Sequence, residues 1–322
     1  ILLKLYSSDP GSEKIFEIAE HFDNAISLVS DRTERSFLVK LNMKAAERAK
    51  LTTAYIRALY FLRYAEQFLP TDPWTDNYEL TFSVYREMAE CEYLAGNREQ
   101  AEELFDYLKL NAKSLYDKGE IYVMWITHLA NSGQFHENLE IGRQALELFG
   151  VILPPPGDTG SIKEAFDIEL DAYKKILGAR KPEDLQNLDE VSDPSIRMSL
   201  RILMNMLSSG YVSNPRFMSI AGLKAINLTL EGGVCQEATF PFPVWGLLLA
   251  ALFQDYTGAY GFGLLGLHFI KRFNDPSNRS NSLFVFGNFI NHWKCHIRYN
   301  IDYLKDAFTS GIETGDFVYA AF

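Results

Sequence analysis

The stretch that most constrains the fold runs from Trp74 to Ser114, where two amphipathic helical patterns meet at Gly96-Asn97. The first pattern carries Leu80, Val84, Met88, Ala89, Cys91 and Tyr93 at helical spacing, and the second carries Ala101, Leu104, Phe105, Leu108 and Ala112. Asn97 is positioned to cap the second helix, with acidic and amide residues in its first turn. Two such helices bury one seam and leave outer faces that need further helices. A stacked helical repeat satisfies that demand.

The rest of the chain repeats the theme. Helical patterns run over roughly 12–29, 32–49, 51–69, 76–95, 97–113, 117–132 and 134–149, and alternation of the strand type is nearly absent. Small, large, small and proline residues recur in second helices at Ala58, Leu62, Ala65 and Pro70. Ala101, Phe105, Leu108 and Lys113 follow the same register in part, as do Asn138, Gly142, Ala145 and Gly150. The spacings of 43 and 37 residues make this a degenerate tetratricopeptide pattern. The fold expected is all-α, a tetratricopeptide-like solenoid of helical hairpins.

Val151-Ile-Leu-Pro-Pro-Pro-Gly157 interrupts the series, because proline cannot continue a helix. The expected organisation is a tail at 1–11 ending in a Ser-Asp-Pro-Gly turn, N-terminal repeats at 12–150, a connection at 151–160 and C-terminal repeats at 161–322. The beginning at Ile1 and the end at Phe322 within a helical pattern suggest a fragment of a longer array. In the second half, helices are expected at 161–178 with Ser161 as cap, 183–188, 193–208, 215–232, 241–257, 259–273, 279–294, 298–312 and from 315 onward. Gly258, Gly263 and Leu267 are read in the register of Gly96, Ala101 and Phe105, with a turn at Gly258.

Charge and cysteine content narrow the function. A net charge of −11 disfavours nucleic-acid binding, which needs a basic face. Cys91, Cys235 and Cys295 are few, odd in number and set in apolar patterns, so reduced thiols of a cytoplasmic protein are expected. The apolar run Phe240–Phe253 is shorter than the roughly 18 residues of a membrane span and is broken by prolines.

The run LNMKAAERAKLTTAYIRALYFLRYAEQFLP, then Trp74, Tyr78-Glu-Leu-Thr81, AECEYLAGN, LYDKGEIY, LELFGVILPPP and Asp193-Pro194, resembles the helical region of large multidomain signalling proteins. HWKCH and DYLKDAFTSGIETGDFVYAAF strengthen that resemblance. In that family a serine/threonine kinase-like domain and an AAA/STAND ATPase domain precede the helical region, and a GAF domain and often a sensor histidine kinase follow it. The resemblance implies a cytoplasmic, non-catalytic regulatory module of a kinase/ATPase protein in signal transduction of the two-component type. It carries no catalytic residue onto this chain, since neither a phosphate-binding loop nor a kinase motif is present. Segment 157–190 and Asn138 depart from the family pattern.

Three constellations invite chemistry. Gly261-Phe-Gly263-Leu-Leu-Gly266 spells a dinucleotide motif, but lies in a helical pattern, so helix packing is preferred. His292 and His296 fall one helical turn apart, which a metal can use, although no third ligand accompanies them. Glu313 and Asp316 present two carboxylates, or a helix end at Gly315 followed by a cap at Asp316. No cofactor or metal is assigned.

The concave face of a repeat array is its usual binding surface. The register places Lys40, Met43 and Glu47 there, then Arg86, Glu90 and Tyr93, then Glu120, Val123, Thr127 and Asn131. In the second half Trp245, Leu248, Leu252, Asp255 and Tyr256 give a more apolar lining, or else belong to the core between repeats, which is the preferred reading. Two cations among three glutamates do not make a clamp for a C-terminal carboxylate. Such an acidic, mixed groove suits a basic peptide, a neighbouring domain of the same chain, or a small polar signal. A free-standing peptide-binding scaffold is the alternative, and an all-α enzyme with a pocket in the second half is a more distant one.

Overall fold

The structure, a computed structural model, describes residues 14–24, 26–276, 278–314 and 317–321. The expected tail at 1–11 and the junction at Gly315-Asp316 lie outside these residues. The fold is all-helical: among the described residues there is no strand, and one isolated bridge pairs Glu190 with Val234. The chain forms two compact units, Ile1–Met124 and Trp125–Phe322. The Pro-rich connection therefore falls inside the second unit.

The first unit contains α1 (Lys14–Asp23), α2 (Arg32–Leu51), α3 (Tyr55–Phe68), the single turn α4 (Pro73–Asp76), α5 (Tyr78–Leu94) and α6 (Arg98–Asn111). The division between units falls within α7 (Leu115–Asn131). Helices pack in succession, α1 on α2, α2 on α3, α3 on α5 and α5 on α6. The register residues Ala58, Leu62, Ala65, Ala101, Phe105 and Leu108 are all fully buried, as the repeat pattern requires. Small residues let neighbouring helices approach, and the larger ones fill the seam, each contributing roughly 1.5–3 kcal/mol on burial. Asp31 starts α2 by accepting from the Glu34 amide at 2.8 Å. Gly96 turns the chain between α5 and α6 at φ 87°, a left-handed conformation that favours glycine. Asn97 does not cap α6. Its amide instead donates to Glu92 at 2.6 Å, tying the turn to the end of α5.

The second unit comprises α8 (Phe135–Leu148), α9 (Thr159–Leu177), α10 (Pro194–Ser213), α11 (Pro215–Gly232), α12 (Pro241–Phe253), α13 (Tyr256–Phe273), α14 (Arg279–Val285), α15 (Asn300–Thr314) and α16 (Phe317–Ala321). Here α8 packs on α10, while α9 lies against α11. The succession then resumes as α10–α11, α11–α12, α12–α13 and α14–α15. Segment 157–190 is thus a detour between two helices that meet without it. Its Glu169 anchors it to α11, accepting from Lys224 at 2.6 Å and from the Asn227 amide at 2.8 Å.

The α8–α10 seam explains why Asn138 and Gly142 break the repeat pattern. Asn138 is fully buried and its amide donates to the carbonyls of Ile126 (2.6 Å) and Asn205 (3.3 Å). At Gly142 an added Cβ would lie 2.5 Å from the Met206 sulfur, so Met206 of α10 occupies the space of the missing large side chain.

Several boundaries differ from expectation. α9 starts at Thr159 because Asp158, not Ser161, accepts from the Gly160 and Ser161 amides. The expected helix at 183–188 is a 3-10 turn, Pro182–Leu185. The turn expected at Gly258 lies at Gln254, in the left-handed region with φ 54°. Asp255 accepts from the Gly258 amide at 2.8 Å and so starts α13 at Tyr256, placing Gly258 inside the helix. The helix expected at 279–294 stops at Val285 and continues as a π turn, Phe286–Ile290, and a 3-10 turn, Asn291–Trp293.

Candidate functional site

On α2 the row Lys40, Met43, Glu47 continues one more turn to Lys50, which the sequence reading left out. Lys40 and Glu47 are exposed and Met43 is half-buried. Lys50 Nζ reaches Glu87 at 2.6 Å and Glu90 at 2.9 Å, both on α5. All three side chains are between 21% and 28% exposed, so water screens the contact only in part. Burial works against the Lys50 ammonium, but its bonds to the two carboxylates outweigh that and hold its pKa above the ordinary lysine value. Arg86 adds a contact to Glu87 at 3.3 Å. The result is a charged ladder joining consecutive hairpins. Counting Lys50 and Glu87, the first-unit row holds three cations, Lys40, Lys50 and Arg86, against Glu47, Glu87, Glu90 and Glu120. The row's net charge is thus −1, the same as for the shorter row read from the sequence.

Tyr93 and Glu120 are half-buried on α5 and α7. Thr127, also on α7, donates to the Asn205 side chain of α10 at 2.9 Å, and Asn131 at the end of α7 is exposed. The second-half lining separates into core and surface. Trp245 is 0% exposed and packs on Tyr173, with ring centres 4.6 Å apart, so it is core and not lining. Leu248 is buried as well, whereas Leu252 is 51% exposed. Burial in the same place pushes the Tyr173 phenol up to about 12. Asp255 is spent on capping α13. Tyr256 stacks on Trp293 at 4.3 Å, and Lys294 donates to Thr257 at 2.8 Å, pinning the irregular 291–294 segment to the start of α13.

An apolar cleft in the second unit is lined by Leu207, Tyr211, Val212, Phe240, Phe284 and Phe289, among others. Its residues come from several elements at no fixed spacing, and for that reason no periodic reading of the sequence finds it. Its free volume is about 40 Å³, against the roughly 300 Å³ at which small-molecule pockets begin. A wider cleft of about 870 Å³ is bordered by Lys271, Asn274, Arg279, Asp306, Thr309 and Glu313. Beneath it Asp275 is buried, accepting from Gln236, Thr239 and the Asn278 amide at 2.8–3.1 Å.

The motifs resolve into packing. Gly261, Gly263 and Gly266 lie inside α13, and a Cβ at each would come within 2.8 Å of Pro182, 2.5 Å of Phe286 and 2.5 Å of Pro243 respectively. They are notches for three neighbours, with no helix N-terminus behind them to receive a phosphate. His292 and His296 do not share a helical face, because the helix ends before them. His296 Nδ1 accepts from the Arg298 amide at 3.2 Å. Among the described residues no group of three metal-ligating side chains converges. The three thiols are unpaired, and burial pushes those of Cys91 and Cys235 up to about 12. No described helix is long and apolar enough to cross a membrane.

No protein-family model matches the chain. Over 331 aligned residues it is 24% identical to hybrid signal transduction histidine kinase G of Dictyostelium discoideum. The alignment takes in 94% of this chain and 10% of that protein's length, so the chain is similar to one short part of a very large histidine kinase.

Proposed function

We propose that this chain is a non-catalytic regulatory module of a multidomain signalling protein, which couples engagement of a partner to attached kinase or ATPase domains. The observation that carries this reading is the end-to-end similarity: nearly the whole chain corresponds to a tenth of a histidine kinase. A tetratricopeptide-like arrangement of hairpins is the architecture that goes with it, supported by the successive packing of α2, α3, α5 and α6 and by the buried register residues. Repeats of this kind respond by small rotations between neighbours, and a partner that prefers one curvature biases whatever is attached. The groups that invite a chemical reading are engaged in structure: the glycine triplet in packing, His296 in a turn, Asp255 in a cap.

The partner we favour is a protein surface, a neighbouring domain of the same polypeptide being the first choice, in a cytoplasmic setting. A first-unit row with exposed Lys40 and Glu47 and both signs of charge suits mixed polar contacts. The deciding experiment is cross-linking with mass spectrometry on the native full-length protein, paired with activity assays on this chain alone. Cross-links from Lys40 and Lys50 to residues outside 1–322, with no turnover by the chain alone, support the proposal. Turnover of a nucleotide or other substrate by the isolated chain overturns it.

A further inference from the structure

The seam between α1 and α2 buries an acid. Asp23, the last residue of α1, is 1% exposed, and Asn42, midway along α2, is fully buried. The Asn42 amide nitrogen donates to Asp23 Oδ1 at 2.9 Å and to the Leu38 carbonyl at 3.2 Å. The second bond fixes the amide, because turning it over would set its oxygen against a carbonyl oxygen. Two buried oxygens are then left without a donor, Asp23 Oδ2 and Asn42 Oδ1. They belong to the two side chains already joined by one bond. Buried polar atoms are rarely left unpaired, and a carboxylate has no hydrogen to offer. One proton on Oδ2 converts an orphan acceptor into a donor for the other orphan. Acid and amide then bond reciprocally.

We infer that in mildly acidic solution Asp23 is a neutral carboxylic acid in the folded protein, paired with Asn42, and that this proton latches α1 onto α2. Removing it places a bare charge in the seam. The surroundings do not welcome that charge. Glu20 lies on the same helix and is itself paired with Arg57 of α3 at 3.2 Å, and α3 brings Tyr60, itself against Tyr64, near the site. From α2 the group that meets Asp23 is the uncharged Asn42. Burial, opposed by the Asn42 bond and aided by Glu20, raises the carboxyl to about 6. Besides this pair, α1 is held by Ile15, Ile18, Ala19 and Phe22, by the Glu20–Arg57 contact and by Phe16, which stacks on Phe61 at 5.5 Å with Arg57 over its ring. Ten residues with so small a core make a helix whose docking one proton can bias. Because the folded-state pKa is raised, the latch contributes fully below about pH 4 and is lost as pH rises through about 6.

The test is carbon-13 NMR on the whole chain labelled at aspartate carboxyl carbons, with the resonance assigned by Asp23→Asn. A midpoint near 6 is expected. A midpoint near 4, the ordinary aspartate value, overturns the inference. Thermal unfolding gives a second reading. Asparagine at 23 keeps both bonds without a proton, so the wild type should lose stability relative to Asp23→Asn as pH rises from about 3 to 7, by up to roughly 100-fold in the folding equilibrium. Parallel curves for the two proteins overturn it. If Asp23→Asn does not fold, the resonance that alone titrates near pH 6 in the wild type, or its absence, decides.

Discussion

Replacing Gly263 by alanine distinguishes a packing notch from a ligand cradle. The new methyl carbon would lie 2.5 Å and 2.9 Å from two ring carbons of Phe286 and 3.4 Å from Ile290. Phe286 cannot swing aside. It is fully buried, with the Tyr303 ring edge-on at 4.9 Å and Tyr260 at 5.7 Å. Overpacking a well-filled core costs about 1–3 kcal/mol, and alanine returns about 1 kcal/mol through its better helix propensity. The 2.5 Å contact with an immobile ring puts the cost at the upper end of that range, so a net loss of about 1–2 kcal/mol is expected, read as a lower urea midpoint at unchanged slope and a melting point lowered by roughly 2–6 °C for a unit of this size. Gly160→Ala is the internal control. Its Cβ meets only the Asp158 carboxylate, at an ordinary 3.5 Å, so it should stabilise. Gly263→Ala as stable as wild type, or a nucleotide that protects wild type and not the variant, would refute the packing argument.

Other perturbations follow from single contacts. Asn138→Ala removes the amide that serves the Ile126 and Asn205 carbonyls and should cost about 1–3 kcal/mol, measured by chemical unfolding. Lys50→Ala leaves Glu87 and Glu90 side by side without their shared cation. A loss of about 1–2 kcal/mol is expected, and Lys50→Arg should restore much of it. A maleimide reagent at neutral pH should label Cys295 well before Cys91 and Cys235, which are buried; equal rates in the folded protein would contradict the burial described above.

How far the sequence could be read depends on how one-sided each helix is. Where one face is polar, the boundaries come out within a residue or two, as for α6, expected at 97–113 and found at 98–111, and α8, expected at 134–149 and found at 135–148. α12 is apolar on nearly all sides, with Phe242, Val244, Trp245 and Leu248 buried together, so it has no phase to mark its end. The turn at Gln254 was therefore misplaced to Gly258. The π and 3-10 turns at 286–293 were hidden for another reason: their side chains keep a helical apolar pattern while the backbone hydrogen bonds change partner. At the candidate surface the sequence row stops one turn short of Lys50. Trp245 stays open between lining and core in the sequence, because an aromatic residue on a stripe gives no sign of which side its next neighbour covers; the structure buries it.

α8 pairs with α10 across the intervening α9. Because those two helices meet without help from what joins them, their pairing does not depend on the length of the joining stretch. Its side chains are less free: Tyr173 covers Trp245, and Glu169 holds Lys224 and Asn227 of α11.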